Sequence, residues 1–439
     1  MDPILEAAEK VKAAGECSPR AGRDPVNLPL INNWVEAIGD ANPAWTASDG
    51  VAPPAMIQAW TMPGLGGGRV DDDPLGIMTE VLDSAGFTSV VATNCDQVYY
   101  RYLRHGERLT VRASLVDVVG PKKTGLGEGW FVTTRSTWYS GDEAVATMDF
   151  RILKFKPPEP GAERPAAPAG AGGQVMRPLV TPDTAFFWDG TRQGELRVQK
   201  CGSCGALRHP PGPMCPKCGT PADGGYTVAS GKGTVYSYVV HRHPPVPGKK
   251  LPLVIALVEL EEASEGQRCR IMGELRGVKP EDVTIGMAVH ADYDRIDDDV
   301  TLPAWRPAPP GEPLPGMVIK ASTTFIVSSA LATRDFQDVH HDRDLALAKG
   351  SKDIFVNILT TTGLVQRFAA GWAGPDAVFK SIKIRLGAPC YAGDTLAFSG
   401  HAEPAGDGPG EWEITVRGDC SLGAHVTGTV RVSVPGRNS

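Results

Sequence analysis

Ala332-Thr333-Arg334-Asp335-Phe336-Gln337-Asp338-Val339-His340-His341-Asp342 sets an acid and an imidazole five residues apart, and a helical-looking run, Asp342 to Lys349, follows. If the chain between Asp335 and His340 is a turn, both side chains converge on one small object. A water held by a carboxylate and a neutral imidazole is a nucleophile, and the same pair can return a proton to a carbanion. That is the minimum equipment for adding water across an activated double bond. A plainer reading competes on spacing alone: a helix N-terminus, with Asp335 or Asp338 as cap and His340 as a solvated side chain.

The stretch has an echo near the start of the chain. Ile38-Gly39-Asp40-Ala41-Asn42-Pro43-Ala44-Trp45 again places a marked residue five positions after an acid, and here that residue is Trp. Similar strand entries lie downstream of each, Leu103-Arg104-His105-Gly106-Glu107-Arg108-Leu109 and Cys390-Tyr391-Ala392-Gly393-Asp394-Thr395-Leu396, and alternating runs follow both. Repetition at this scale implies two copies of one domain. The stretch around Asp40 resembles the Gly-Asp-x-Asn-Pro-x-His signature of the MaoC-like (R)-specific enoyl-CoA hydratases, with Trp45 in the His position. The stretch around Asp335 keeps the Asp and the His but has Arg334, Gln337 and Asp338 where that family has Gly, Asn and Pro. The resemblance implies a catalytically degenerate first copy and a competent second one, with Asp335 and His340 as its catalytic pair.

It also implies an α+β fold: two hot-dog domains, each a long helix wrapped by an antiparallel sheet, pairing as a double hot dog. The Pro-started apolar segment Val51 to Trp60 is the expected central helix of the first copy, and Ile354 to Val365 that of the second. In the family the backbone amide that starts this helix holds the thioester oxygen, aided by the helix dipole. That position falls on Asn357, where a plain N-cap uses the same location. Gly66-Gly67-Gly68 lacks the Lys-Ser/Thr of a phosphate cradle and reads as a loop.

Between the copies lies the most specific motif of the chain. Cys201-Gly202-Ser203-Cys204 and Cys215-Pro216-Lys217-Cys218 are separated by ten residues, and each pair is followed by Gly. Two such knuckles set four thiolates at tetrahedral corners, which suits a structural zinc and leaves no open coordination position; the competing reading is a redox pair or empty thiols. A ribbon followed by short strands resembles the zinc-ribbon and OB-fold module of the DUF35 family. The boundaries read as a MaoC-like domain over 1–156, a Pro/Ala/Gly linker over 157–177, helix and zinc ribbon over 178–226, an OB-fold over 227–302, a second linker over 303–316 and the catalytic hot-dog domain over 317–439.

At 439 residues, 41% hydrophobic and 22% charged, the chain has room for several ordinary cores. No run reaches the length of a membrane span, and Met1-Asp2-Pro3-Ile4-Leu5-Glu6 lacks a signal-peptide pattern, so the expectation is cytoplasmic. A net charge of −7 argues against a nucleic acid as main partner. The whole order resembles a fusion of the two subunits of the actinobacterial steroid side-chain enoyl-CoA hydratase. That resemblance implies a steroid enoyl-CoA substrate with CoA as its carrier, structural zinc, and a thiolase-fold aldolase docked on the ribbon/OB module; a homodimer is expected. A long-chain fatty enoyl-CoA hydratase and a non-catalytic acyl-CoA-binding scaffold are the competing readings.

Overall fold

The two copies meet strand to strand. The computed structural model describes residues 2–47, 50–156, 177–262, 269–297, 299–308, 311–406 and 408–437. It divides into two units, residues 1–162 with 310–439, and residues 163–309. In the first unit, one copy contributes strands Ser89–Tyr99, Leu109–Thr124, Gly127–Ser140 and Glu143–Phe155. The other contributes Val378–Leu386, Asp394–Pro404, Glu411–Cys420 and Gly423–Ser433. In each, the first strand lies innermost and the fourth, third and second follow outwards. The two first strands pair antiparallel, Ile382 opposite Gln97 and Ile384 opposite Cys95, so the copies share one continuous sheet. Alternation along the strands turns Ile382, Ile384, Ile414, Val416, Val430 and Val432 into the core. This is the expected double hot dog.

The sheet wraps the helix Ile358–Ala373, which starts four residues later than the sequence pattern suggests and runs on past it. It is buried on nearly every side, including Thr360, Thr361, Thr362 and Gln366. A helix with so little polar-out face is an enclosed one. Gly363 is required on it: a Cβ there would stand 2.7 Å from the Trp34 ring. Trp34 belongs to the helix Leu28–Ile38 of the first copy, and a second such helix, Thr323–Ala332, precedes Asp335. The sequence reading missed both helices.

The first copy departs from expectation where its own central helix should be. Val51 to Trp60 forms only two single 3-10 turns, Pro54–Met56 and Ala59–Thr61. Its residues are buried as a core helix would be, but they pack against the other copy's helix, and the Ala55 amide donates to the Gln366 side chain at 2.8 Å. The shared interior holds one long helix, and the apolar run of the first copy lines it instead of repeating it. The Pro74–Ser84 helix, also unanticipated, packs with Pro3–Ala14 over Leu115, Trp130, Val132 and Ile152 of the same sheet.

The second unit carries the helix Ala185–Arg192, a small sheet of Leu196–Lys200, Leu207–Arg208 and Tyr226–Ala229, and a closed barrel. Lys232–His241, Leu253–Leu260, Arg270–Leu275 and Ala288–Arg295 stand where strands were expected. Thr301–Pro307 closes the barrel, antiparallel to Ala288–Arg295 and parallel to Arg270–Leu275. The linker expected from residue 303 therefore begins later. Pro303 and Pro307 conceal a strand whose Trp305 sits fully buried in the barrel core. Residues 157–176 of the first linker lie outside the described residues.

Candidate active site

Helix Thr323–Ala332 ends in a tight turn. The Asp335 amide reaches back to the Ala330 carbonyl at 3.0 Å, and Arg334 takes the left-handed conformation at φ +58°. The chain then runs through one short 3-10 turn, Asp338–His340, before Asp342 caps the helix Arg343–Ala348. A turn rather than a helix thus separates Asp335 from His340, and their side chains converge. His340 Nε2 lies 3.6 Å from Asp335 Oδ2, and both residues are buried, at 6% and 3% exposure. Those figures remove the plainer reading, since His340 is not solvated and neither Asp335 nor Asp338 caps a helix.

The tautomer follows from the surroundings. His340 Nδ1 donates to the Phe355 carbonyl at 2.8 Å, so the neutral ring presents its Nε2 lone pair towards Asp335. Burial holds its pKa below the usual imidazole range, with the Asp335 carboxylate pulling the other way. At 3.6 Å the two groups are too far apart for a direct hydrogen bond and near enough to share one small molecule.

Asn357 completes the frame. Its side-chain oxygen accepts the Thr360 amide at 2.7 Å, capping the central helix as the simpler reading had it. Its amide nitrogen donates to Thr333 Oγ1 at 2.8 Å and to Asp335 Oδ2 at 3.1 Å. One side chain therefore fixes the helix start and the carboxylate together. The amides of Ile358 and Leu359, in the first turn, lie outside the intrahelical ladder.

Sequence reasoning missed the support beneath this turn. Thr361 Oγ1 lies 2.9 Å from His425 Nε2, and His425 Nδ1 donates to the Ala388 carbonyl at 2.8 Å. Burial lowers the His425 pKa, and the Thr361 hydroxyl, which donates to the Asn357 carbonyl at 3.0 Å, lies between that carbonyl and the ring. The available signal was the run Thr360-Thr361-Thr362 inside an otherwise apolar helix.

In the first copy Asp40 occupies the equivalent turn, but Trp45 Nε1 donates to its Oδ2 at 3.1 Å. The second unit holds the four cysteines. Their sulfurs lie within 4.8 Å of one another, with Cys201 to Cys218 at 3.7 Å and Cys204 to Cys215 at 3.6 Å. A tetrahedron of sulfurs around zinc has edges of about 3.8 Å at the usual Zn–S bond length, so the donor set fits. Gly205 and Gly219, at φ +71° and +72°, turn each knuckle and return an amide to the Cys201 and Cys215 carbonyls.

Fold and site together define a MaoC-like hydratase with an inserted zinc ribbon and OB barrel. Residues 13–148 match the "FAS1-like, dehydratase domain region" family, residues 188–223 the "ChsH2, rubredoxin-like zinc ribbon domain" and residues 226–294 the "ChsH2, C-terminal OB-fold domain". The chain belongs to the family of the 3-oxo-4,17-pregnadiene-20-carboxyl-CoA hydratase alpha subunit of Mycobacterium tuberculosis: it is 52% identical to that protein over 69% of this chain and 97% of the relative. It is also 60% identical to the beta subunit of the same hydratase, over 28% of this chain and 95% of that subunit. One polypeptide thus unites features that the mycobacterial enzyme divides between two. A MaoC-like dehydratase from Phytophthora capsici shares the fold, with a TM-score of 0.50 and 14% identity over 98% of this chain and 99% of that one. A solved Ltp2-ChsH2(DUF35) aldolase chain is 42% identical over 30% of this chain and 100% of its own, at a TM-score of 0.28.

Proposed function

We propose that this hydratase adds water to a steroid side-chain trans-2-enoyl-CoA, with Asp335 and His340 activating the water. The observation that carries this reading is the 3.6 Å separation of a buried carboxylate and an Nε2 whose lone pair is aimed at it. A water beside the pair, within hydrogen-bond reach of both acceptors, donates one hydrogen to each. As its oxygen adds to the β-carbon, Nε2 takes a proton, and the π electrons move onto the thioester oxygen as an enolate. First-turn amides of the central helix, beginning at Asn357, stabilise that oxygen through their N–H groups and the helix dipole. The proton then returns to the α-carbon from the pair, so the chemistry is net addition of water and consumes no cofactor.

The steroid assignment is supported by the relative's substrate and by the first copy's reduction to two 3-10 turns, which leaves one long helix where two would otherwise crowd the interior. Hydration at the ring carbon C17 yields a β-hydroxy thioester, the substrate type that a retro-aldol cleavage needs. The ribbon/OB module docks the thiolase-fold aldolase that performs this cleavage, as the likeness to the Ltp2-ChsH2(DUF35) aldolase supports. The zinc is structural there, since four cysteines close its coordination.

Loss of conjugated enoyl-thioester absorbance tests the reading, using a three-carbon steroid enoyl-CoA and a linear enoyl-CoA side by side. Turnover of the steroid thioester that collapses in His340→Ala is the expected result. Turnover of the linear substrate alone discards the steroid assignment. Tight binding without turnover of either makes the protein an acyl-CoA scaffold.

A further inference from the structure

Arg334 stands in the left-handed region at φ +58°, and among the described residues it is the sole non-glycine there. The equivalent residue of the first copy is Gly39, at φ +67°, immediately before Asp40. The same turn is therefore built twice, once with the residue that adopts it freely and once with a long cation that is strained in it. Strain of this kind persists where the side chain is needed, and nothing in the turn itself needs a guanidinium.

The side chain crosses to the first copy. Its Nη2 makes one long contact, 3.5 Å to the Met62 carbonyl, and lies over Gly64, where a Cβ would stand 2.8 Å from the same nitrogen. Gly64 is thus bare where the guanidinium passes. No carboxylate among the described residues lies within ion-pair distance of Arg334. Its charged neighbours are Arg23 and Asp24, and Asp24 is already held by Arg23 Nε at 2.7 Å. Five guanidinium donors with a single long acceptor, half-buried beside a second arginine, are arranged for an anion from outside the chain.

We infer that Arg334, with Arg23 beside it, binds a phosphate of the CoA carrier at the rim of the Asp335/His340 site, on the reading that this site takes a CoA thioester. Acyl-CoA is the substrate class whose carrier brings phosphate to a site where the chemistry itself requires none. Arg334 stands immediately before Asp335, the residue proposed to hold the water, so anchoring the carrier there also fixes the distance from the carrier to the reacting carbons. Arg334 is a binding residue in this account and takes no part in proton transfer.

The test compares wild type with Arg334→Gly on two versions of one enoyl thioester, the CoA ester and the pantetheine ester that lacks both the diphosphate and the 3′-phosphate. Glycine adopts φ +58° without strain, so the variant folds at least as stably as wild type, and a thermal melt checks this. The expected result is a KM for the CoA ester raised roughly ten- to hundredfold, the worth of a hydrogen bond to a charged group, with KM for the pantetheine ester changed less than twofold. Arg334→Lys keeps the charge and recovers part of the loss. An equal change with both esters overturns the inference and makes Arg334 a wall of the acyl pocket, and no change with either overturns it outright. If wild type itself turns over neither ester, the hydratase reading has failed instead.

Discussion

The two copies build the same backbone turn and differ in the side chain that faces its carboxylate. In each, the Asp amide reaches five residues back, Asp40 to Val35 at 2.8 Å and Asp335 to Ala330 at 3.0 Å. In each, the amide two residues on points at the Asp Oδ1, from Asn42 at 3.0 Å and from Gln337 at 3.4 Å. Burial raises the Asp40 pKa, and its Oδ2 accepts the Trp45 indole N–H. Opposite Asp335 stands a ring nitrogen carrying a lone pair, and the gap is 3.6 Å. The Trp45 donor fills the side of Asp40 that it faces, whereas the His340 acceptor leaves its side of Asp335, whose Oδ2 Asn357 also holds, open to a molecule with two hydrogens to give. One fold thus carries two versions of the same turn, distinguished by whether the side chain five residues after the Asp donates to its carboxylate or faces it with an acceptor.

The strongest way to break this comparison is His340→Ala. It removes the acceptor and should lower kcat/KM by about 10³-fold, within the usual range for losing a general acid–base group, with little change in KM. A loss below tenfold, followed by enoyl-thioester absorbance, would place the chemistry elsewhere. Asn357→Ala comes next. It frees the Asp335 carboxylate and uncaps the central helix, so kcat should fall about 10- to 100-fold, and thermal unfolding should record a loss of about 1 kcal/mol from the missing cap.

The pH dependence sharpens the contrast at smaller scale. His340 must be neutral to accept a proton, and its folded pKa lies below the usual value of about 6.5. Activity should therefore persist to lower pH than an ordinary imidazole would allow and decline as pH falls through that lowered pKa. The unfolded chain protonates this residue first on acidification, so its stabilising contribution is complete above about pH 6.5 and is lost as pH falls from there towards the folded pKa. Urea midpoints at pH 7.5 and 5.5 should separate more for wild type than for His340→Ala, by at most about 1.4 kcal/mol per pH unit from this one group. The smallest activity change is expected of Trp45→His in the His340→Ala background. It places an imidazole opposite Asp40 but restores no helix start, because Val51 to Trp60 forms only 3-10 turns. Turnover should stay within twofold of the single variant, and a rescue would show that the helix start is dispensable.

Much of this was legible beforehand because it rests on local chemistry. Paired knuckles demand four cysteines and two glycines at set spacings, and alternating strands announce a half-buried sheet. The two helices ahead of Asp40 and Asp335 were missed although Asn27 and Ser322 cap them. The fifth barrel strand was missed for a definite reason: Pro303 and Pro307 suggested a linker, yet proline is tolerated where its missing donor falls outside the ladder.

The sequence by itself determined the repeat, the acid and imidazole, the zinc ligands and the order of domains, because each depends on residue type and short spacing. Only the tertiary structure decided that Val51 to Trp60 yields its place to the other copy's helix, that Asn357 holds Asp335 as well as the helix, and that a threonine and His425 brace the turn beneath them. Those contacts join residues far apart in the chain, and their geometry is set by which of two similar segments fills a single shared core. Local pattern is the same for both candidates there, so packing makes the choice.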